Sequence, residues 1–121
     1  MKYQLTVVVP VYNEEDNLLR VEQVFNDYFK MAVVPTQVLF VNDGSKDKSQ
    51  AIIEEICARS TGFQYISFAK NCGLSAAIKA GFDYTKTPLV GYIDSDLQTT
   101  PEDFNVLYPY IKEYDLVTGH R

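Results

Sequence analysis

The sequence predicts an α/β protein, a mainly parallel sheet with helices on both faces, and three observations carry that prediction. Segments such as Thr6-Val7-Val8-Val9 and Val38-Leu39-Phe40-Val41 are β-branched or apolar on both faces, as in strands buried on both sides. Between such segments apolar residues recur at helical spacing. Strand and helix alternate four times before a last strand, the order that builds a doubly covered parallel sheet. With 121 residues, 46% hydrophobic and 22% charged, the chain has the size and composition of one soluble domain around one core.

Taken in order, Leu5–Val11 reads as a central strand, and Pro10 is expected to end it because proline donates no ladder hydrogen bond. Asn13 is a candidate N-cap with Glu14, Glu15 and Asp16 in the first helical turn, and Leu18, Val21, Phe25, Tyr28 and Phe29 predict a helix over 14–30. Val38–Val41 is the second strand, running into the turn signal Asn42-Asp43-Gly44-Ser45. A second helix is expected with Asp47 as cap, Gln50 completing a variant capping box, Ile52, Ile53, Ile56 and Cys57 inward, and Gly62 as stop. Phe63–Phe68 is the third strand. Asn71-Cys72-Gly73 then turns into a helix over Ser75–Tyr84, whose Ala76, Ala77, Ala80 and Gly81 allow close packing. Pro88–Ile93 is the fourth strand. Thr100-Pro101-Glu102-Asp103 marks a helix start, with Phe104, Leu107, Tyr108 and Ile111 as its apolar side, and Asp115–Thr118 begins a fifth strand.

Composition removes several function classes. Net charge is −5 and no run of Lys or Arg occurs, which argues against a basic nucleic-acid-binding face. No apolar run approaches the ~20 residues of a membrane span, and Met1–Leu5 leads directly into a strand, so no signal peptide is expected. Cys57 and Cys72 make neither a disulfide framework nor, without a neighbouring histidine, a zinc site. A cytoplasmic protein is the expectation. G-x-G-x-x-G, G-x-x-x-x-G-K-[ST] and G-x-S-x-G are all absent, and the single histidine is His120, against dinucleotide oxidoreductases, P-loop enzymes and serine hydrolases.

In a parallel sheet ligands sit outside the carboxyl ends of the strands. Here those ends carry Tyr12-Asn13-Glu14, Asn42-Asp43, Lys70-Asn71 and the run Asp94-Ser95-Asp96-Leu97-Gln98. In extended chain, side chains two residues apart point the same way, ~6–7 Å apart, so Asp94, Asp96 and Gln98 can converge as oxygen ligands for a hard cation, Mg²⁺ or Mn²⁺. Bland readings stand beside this one: Asp96 as a turn residue, Asp94 as a helix cap, Glu14 as a helix-dipole partner, Asp43 as an Asx-turn residue. Polar residues at four successive strand ends favour a site. Asp43 is then placed to accept hydrogen bonds from a base or ribose, while Asp94 and Asp96 face a diphosphate across the cation that such an acidic rim requires. Lys70 and Arg121 are the basic candidates near the rim.

Val8-Val9-Pro10-Val11-Tyr12-Asn13-Glu14-Glu15, Val41-Asn42-Asp43-Gly44-Ser45-Lys46-Asp47, Asn71-x-Gly73 with Lys79-Ala80-Gly81, and Asp94–Gln98 with Pro101-Glu102 together resemble the family 2 glycosyltransferases, which have the Rossmann-like GT-A fold. The acidic cluster and the closing Val117-Thr118-Gly119-His120-Arg121 look most like the polyprenyl-phosphate branch, which includes dolichol-phosphate mannosyltransferases. The resemblance implies an inverting transfer of a hexose from a UDP- or GDP-linked sugar to polyprenyl phosphate or a saccharide. It implies Pro10, Tyr12, Glu14 and Asp43 at the nucleoside, Asp94, Asp96 and Gln98 at the metal with the two aspartates as catalytic residues, and Arg121 at a phosphate. Asn42 stands where an aspartate is commoner and keeps hydrogen bonding towards the donor without the charge; Lys70 stands where an arginine is common and loses its bidentate geometry; Thr99 stands where an aspartate often follows the glutamine. Residues 1–121 are expected to be the nucleotide-sugar-binding, amino-terminal part of a longer glycosyltransferase, with any membrane association made through other segments. The alternatives are a nucleotide-sugar-binding fragment without turnover, a receiver-type signalling domain and a nucleotide-sugar pyrophosphorylase. The receiver reading lacks the aspartate and lysine it needs at the third and fifth strand ends, and the pyrophosphorylase reading lacks a Gly-rich loop after the first strand.

Overall fold

The computed structural model describes residues 3–95. The expected fifth strand and the helix after Thr100 lie outside them. The described residues alternate as β1 (Leu5–Val11), α1 (Leu18–Phe29), β2 (Thr36–Asn42), α2 (Ser49–Arg59), β3 (Phe63–Ser67), α3 (Leu74–Tyr84) and β4 (Leu89–Tyr92). The strands form one parallel sheet in the order β3-β2-β1-β4.

The two faces of the sheet follow from the two-residue period of the strands. Leu5, Val7, Val9 and Val11 of β1, with Val38 and Phe40 of β2, meet Leu18, Val21 and Phe25 of α1 and Ile53 and Ile56 of α2 in the larger core cluster. Val8, Leu39, Val41 and Val90 face the other way, onto Ala77 of α3. Helix α3 lies close because it is built of small residues: a Cβ on Gly81 would come within 2.5 Å of Val8 Cγ1. Connections through α1 and α2 thus carry the chain from β1 outward to β3 on one face. Helix α3 then crosses the other face to bring β4 against the free side of β1. The β1–β4 boundary is a topological switch point, where parallel sheets open a crevice at their carboxyl ends.

Three local expectations are corrected. Pro10 does not end β1 but lies within it, in register with Val41. Val8 accepts from the Ile93 N–H on the β4 side, and Val11 accepts from the Asp43 N–H on the β2 side. By strand alternation Pro10 turns its missing donor towards β4, beyond the last bond of that ladder. Helix α1 starts at Leu18, its N-cap is Asn17, and no acidic residue occupies its first turn. Asn13 instead sits at φ 55°, a left-handed position that asparagine tolerates. Helix α2 has Lys48 at its N-cap position, with no cap bond from that side chain; the expected cap, Asp47, one residue earlier, accepts from the first helical N–H, Ser49 N (2.9 Å). Gln50 closes no capping box; its Oε1 accepts from Asn42 Nδ2 (2.6 Å) and Ser67 Oγ (2.7 Å).

Candidate functional site

The residues that left the α1 cap join the β1–α1 and β2–α2 loops along the carboxyl rim. Asn13 N donates to Ser45 Oγ (2.9 Å), Glu14 N to Ser49 Oγ (2.9 Å) and Glu15 N to Asp47 Oδ2 (3.2 Å). In return Lys46 N donates to Asn13 Oδ1 (2.8 Å) and Lys48 N to Glu15 Oε1 (2.8 Å). Burial pushes the Asp47 carboxyl up, but bonds from the Ser49 hydroxyl and N–H and from the Glu15 N–H outweigh it and hold the group below its ordinary value.

A second seam joins the β2–α2 and β3–α3 loops. Asp43 is 4% exposed, and its Oδ1 accepts from Cys72 N (2.6 Å). Its Oδ2 accepts from Gly73 N (3.0 Å) and Asn71 Nδ2 (3.0 Å), and its main-chain oxygen from Asn71 Nδ2 (3.2 Å). Gly44, at φ 70°, lets the two loops touch: a Cβ there would collide with the backbone of Lys70 and Asn71.

Between these seams and the end of β4 lies an open cleft of about 420 Å³, lined by Pro10, Val11, Tyr12, Glu14, Asp43, Asn71, Gly73, Leu74, Asp94 and Ser95. Of the sequence-predicted residues it brings together Pro10, Tyr12, Glu14, Asp43 and Asp94. Asn42 is buried and turned the other way, onto α2, with its amide committed to Gln50 and its Oδ1 accepting from Ser45 N (3.1 Å). Lys70 is exposed and is not among the lining residues. Asp96, Gln98 and Arg121 lie outside the described residues. The lining also includes Asn71, Gly73, Leu74 and Ser95, to which the sequence reading gave no role in the site, although Asn71 and Gly73 stand in its Asn71-x-Gly73 motif and Ser95 in the acidic run; Gly73 takes φ 102°, a conformation that favours glycine.

The chemistry of the lining is one-sided. Among the described residues, Glu14, Asp43 and Asp94 are its ionisable acids and no lysine or arginine joins them. Glu14 Oε1 accepts from Asn17 Nδ2 (2.7 Å) and Asp43 is held as above, whereas Asp94 is exposed and carries no hydrogen bond among the described residues. A phosphate ligand entering here meets carboxylates, a charge conflict that a divalent cation between them would relieve; among the described residues, no three acidic, histidine or cysteine side chains group as a metal site.

Residues 6–121 match the model of Glycosyl transferase family 2. The chain belongs to that family. Among curated relatives, an uncharacterised glycosyltransferase of Synechocystis is 33% identical over all of this chain and 38% of its own length. The bactoprenol glucosyl transferase of Shigella phage SfX is 33% identical over 78% of the chain and 31% of its own length. The undecaprenyl-phosphate 4-deoxy-4-formamido-L-arabinose transferase of Pseudomonas fluorescens is 35% identical over 82% and 29% respectively. The chain therefore spans about a third of the length of the curated relatives it matches. Among solved structures, S. aureus TarS in complex with UDP-GlcNAc superposes with a TM-score of 0.70 at 22% identity, over 91% of this chain and 31% of that one. The mannosyltransferase PcManGT of Pyrobaculum calidifontis, in complex with GDP-Man and Mn²⁺, gives 0.64 at 18% identity, over 79% and 28%. Family 2 membership and the GT-A fold replace the receiver-type alternative, and the relatives include transferases named for polyprenyl phosphates.

Proposed function

We propose that residues 1–121 are the nucleotide-sugar-binding part of an inverting, metal-dependent glycosyltransferase that transfers a hexose from a UDP- or GDP-sugar to polyprenyl phosphate. The observation that carries the reading is the acidic cleft at the β1–β4 switch point, walled by Pro10, Tyr12, Asp43 and Gly73 and opening on the Asp94 carboxylate. Its support is the family match, the relatives named for bactoprenol and undecaprenyl phosphate, and the fold shared with nucleotide-sugar-bound structures.

On this reading Pro10, Tyr12, Glu14 and Asp43 receive the nucleoside, with the β3–α3 loop beside them. Asp94 with Asp96 and Gln98 hold Mg²⁺ or Mn²⁺, and Lys70 and Arg121 supply positive charge towards the phosphates. A cation held there would supply positive charge against the charge developing on the leaving diphosphate. A lipid phosphate acceptor is already anionic and needs no general base. The protein then works in the cytoplasm, at the cytoplasmic face of the membrane that carries the acceptor. Among the described residues no helix is long and apolar enough to cross a membrane.

The test is transfer of labelled hexose from UDP-glucose or GDP-mannose, with Mn²⁺, to undecaprenyl phosphate or to a saccharide. Labelled lipid phosphate that disappears in Asp96→Ala supports the reading. Labelled saccharide reassigns the acceptor, and metal-dependent nucleotide binding without any transfer reduces the chain to a binding fragment.

A further inference from the structure

Behind the cleft, polar side chains form a hydrogen-bond relay that runs in one direction. It begins at Ser45 N, a main-chain donor, whose bond ends on Asn42 Oδ1 (3.1 Å). With that oxygen accepting, Asn42 turns its Nδ2 onto Gln50 Oε1 (2.6 Å), and Gln50 in turn donates from Nε2 to Glu54 Oε2 (2.8 Å). A main-chain N–H can only donate and an ionised carboxylate can only accept, so the two ends fix the orientation of both amides between them. Gln50 Oε1 also accepts from Ser67 Oγ (2.7 Å), so one oxygen on α2 holds the last residue of β2 and the last residue of β3. The relay reaches the cleft through Ser45. Its hydroxyl accepts from Asn13 N (2.9 Å), and Asn13 Oδ1 accepts from Lys46 N (2.8 Å). Asn13 lies between Tyr12 and Glu14, and Asp43 lies inside the turn that Asn42 and Ser45 close. Those three line the cleft, and Gln50 is not among the lining residues.

We propose that Gln50 is a positioning residue of this cleft: it holds Asn42 from behind and so sets the 42–45 turn and, through Ser45 and Asn13, the lining residues Tyr12, Glu14 and Asp43. This rests on the nucleotide-binding reading above and adds to it a residue from outside the cleft. What matters at position 50 is then an acceptor and not bulk. Gln50→Glu keeps an acceptor for Asn42 and Ser67, and Glu54 is exposed and can turn away from the new carboxylate. Gln50→Met keeps the length of the side chain and its helix propensity. It offers Asn42 no oxygen, however, and leaves a buried amide unpaired.

The experiment reads nucleotide affinity and hydrogen exchange on the full chain, for the wild type, Gln50→Met and Gln50→Glu. In calorimetric titration with UDP and GDP in Mn²⁺, affinity is expected to fall about three- to tenfold in Gln50→Met, the range of one hydrogen bond, and to stay within about twofold of wild type in Gln50→Glu. Exchange of the Asn13, Ser45 and Lys46 N–H groups, followed by NMR without ligand, is expected to speed up by a similar factor in Gln50→Met alone. In the wild type the Nδ2 hydrogens of Asn42 are expected to exchange slowly, a measurement that stands even if Gln50→Met folds poorly. Unchanged affinity or exchange in Gln50→Met, an equal loss in Gln50→Glu, or freely exchanging Asn42 hydrogens overturns the inference while leaving the nucleotide reading intact. A folded wild type that binds neither nucleotide overturns both.

Discussion

Asp43 and Asp94 sit in one cleft, past the ends of the two strands that flank β1, yet they are carboxylates of opposite kinds. Asp43 is buried and held by two main-chain N–H groups and an amide. Asp94, past the end of β4, is exposed and has no partner among the described residues. The difference separates wall from mouth. Over β1, β2 and β3 the polar side chains are committed to holding loops together, so the shape of the cleft exists before any ligand arrives. At β4 the carboxylate is left for chemistry, where charge not already engaged is what a cation needs.

The largest effect should come from breaking the wall. Gly44→Ala forces a Cβ into the Lys70–Asn71 backbone from a left-handed position, and we expect a stability loss of about 3 kcal/mol or more, read by urea denaturation. A loss under about 0.5 kcal/mol would mean that the two loops are not locked as described.

Glu22 sharpens the comparison, since it is a carboxylate held as firmly as Asp43 but away from the cleft. Arg59 grips it through Nη2 (2.6 Å) and Nε (3.0 Å), and Ser60 Oγ donates as well. The Arg59 bond outweighs the cost of burial, and the Ser60 bond and the Arg59 charge add to it, so the Glu22 pKa lies below its ordinary value of 4.5. A group depressed in the folded state stabilises fully above its unfolded pKa and loses that contribution as pH falls through the folded one. Glu22→Gln should therefore cost about 1–2 kcal/mol at pH 7 and flatten the fall in melting temperature below pH 4.5, with nucleotide affinity at pH 7 unchanged. An equal cost at pH 7 and pH 3 would contradict this assignment.

The smallest perturbation is chemical. Burial pushes the Cys57 thiol up to about 11, whereas Cys72 is exposed between two wall residues. Iodoacetamide at pH 8 should label Cys72 well ahead of Cys57, and bound UDP with Mn²⁺ should slow that labelling. Nucleotide that binds without slowing it would place the ligand elsewhere.

Much of this was legible in the sequence, for a physical reason. Strands buried on both faces must be apolar throughout, and α3 must be small where it crosses β1 and β2, so β1, β2, Ala77 and Gly81 announce the sheet and its covering. The rim was legible only as a set of positions. Glu14, Glu15 and Asp16 read as the first turn of a helix because that is their local chemistry. Their loop's partners, Ser45, Asp47 and Ser49, are 32 to 35 residues away, and single-residue propensity carries no trace of them. Asn42 and Asp43 are adjacent in a turn signal, yet strand alternation sends one onto α2 and the other into the cleft. Pro10 misled for a related reason: whether a missing N–H matters depends on where the neighbouring strand stops.

The most direct test of the account is the metal dependence of nucleotide binding at Asp94. UDP and GDP are titrated into the full chain with Mn²⁺ or with EDTA, using wild type and Asp94→Asn. The account predicts binding that requires Mn²⁺ in the wild type and a weakening in Asp94→Asn at least on the order of 10–100-fold, the loss already typical when groups that merely support metal ligands are removed. The melting temperature of the variant should be unchanged. Equal affinity in EDTA, or in Asp94→Asn, would contradict it.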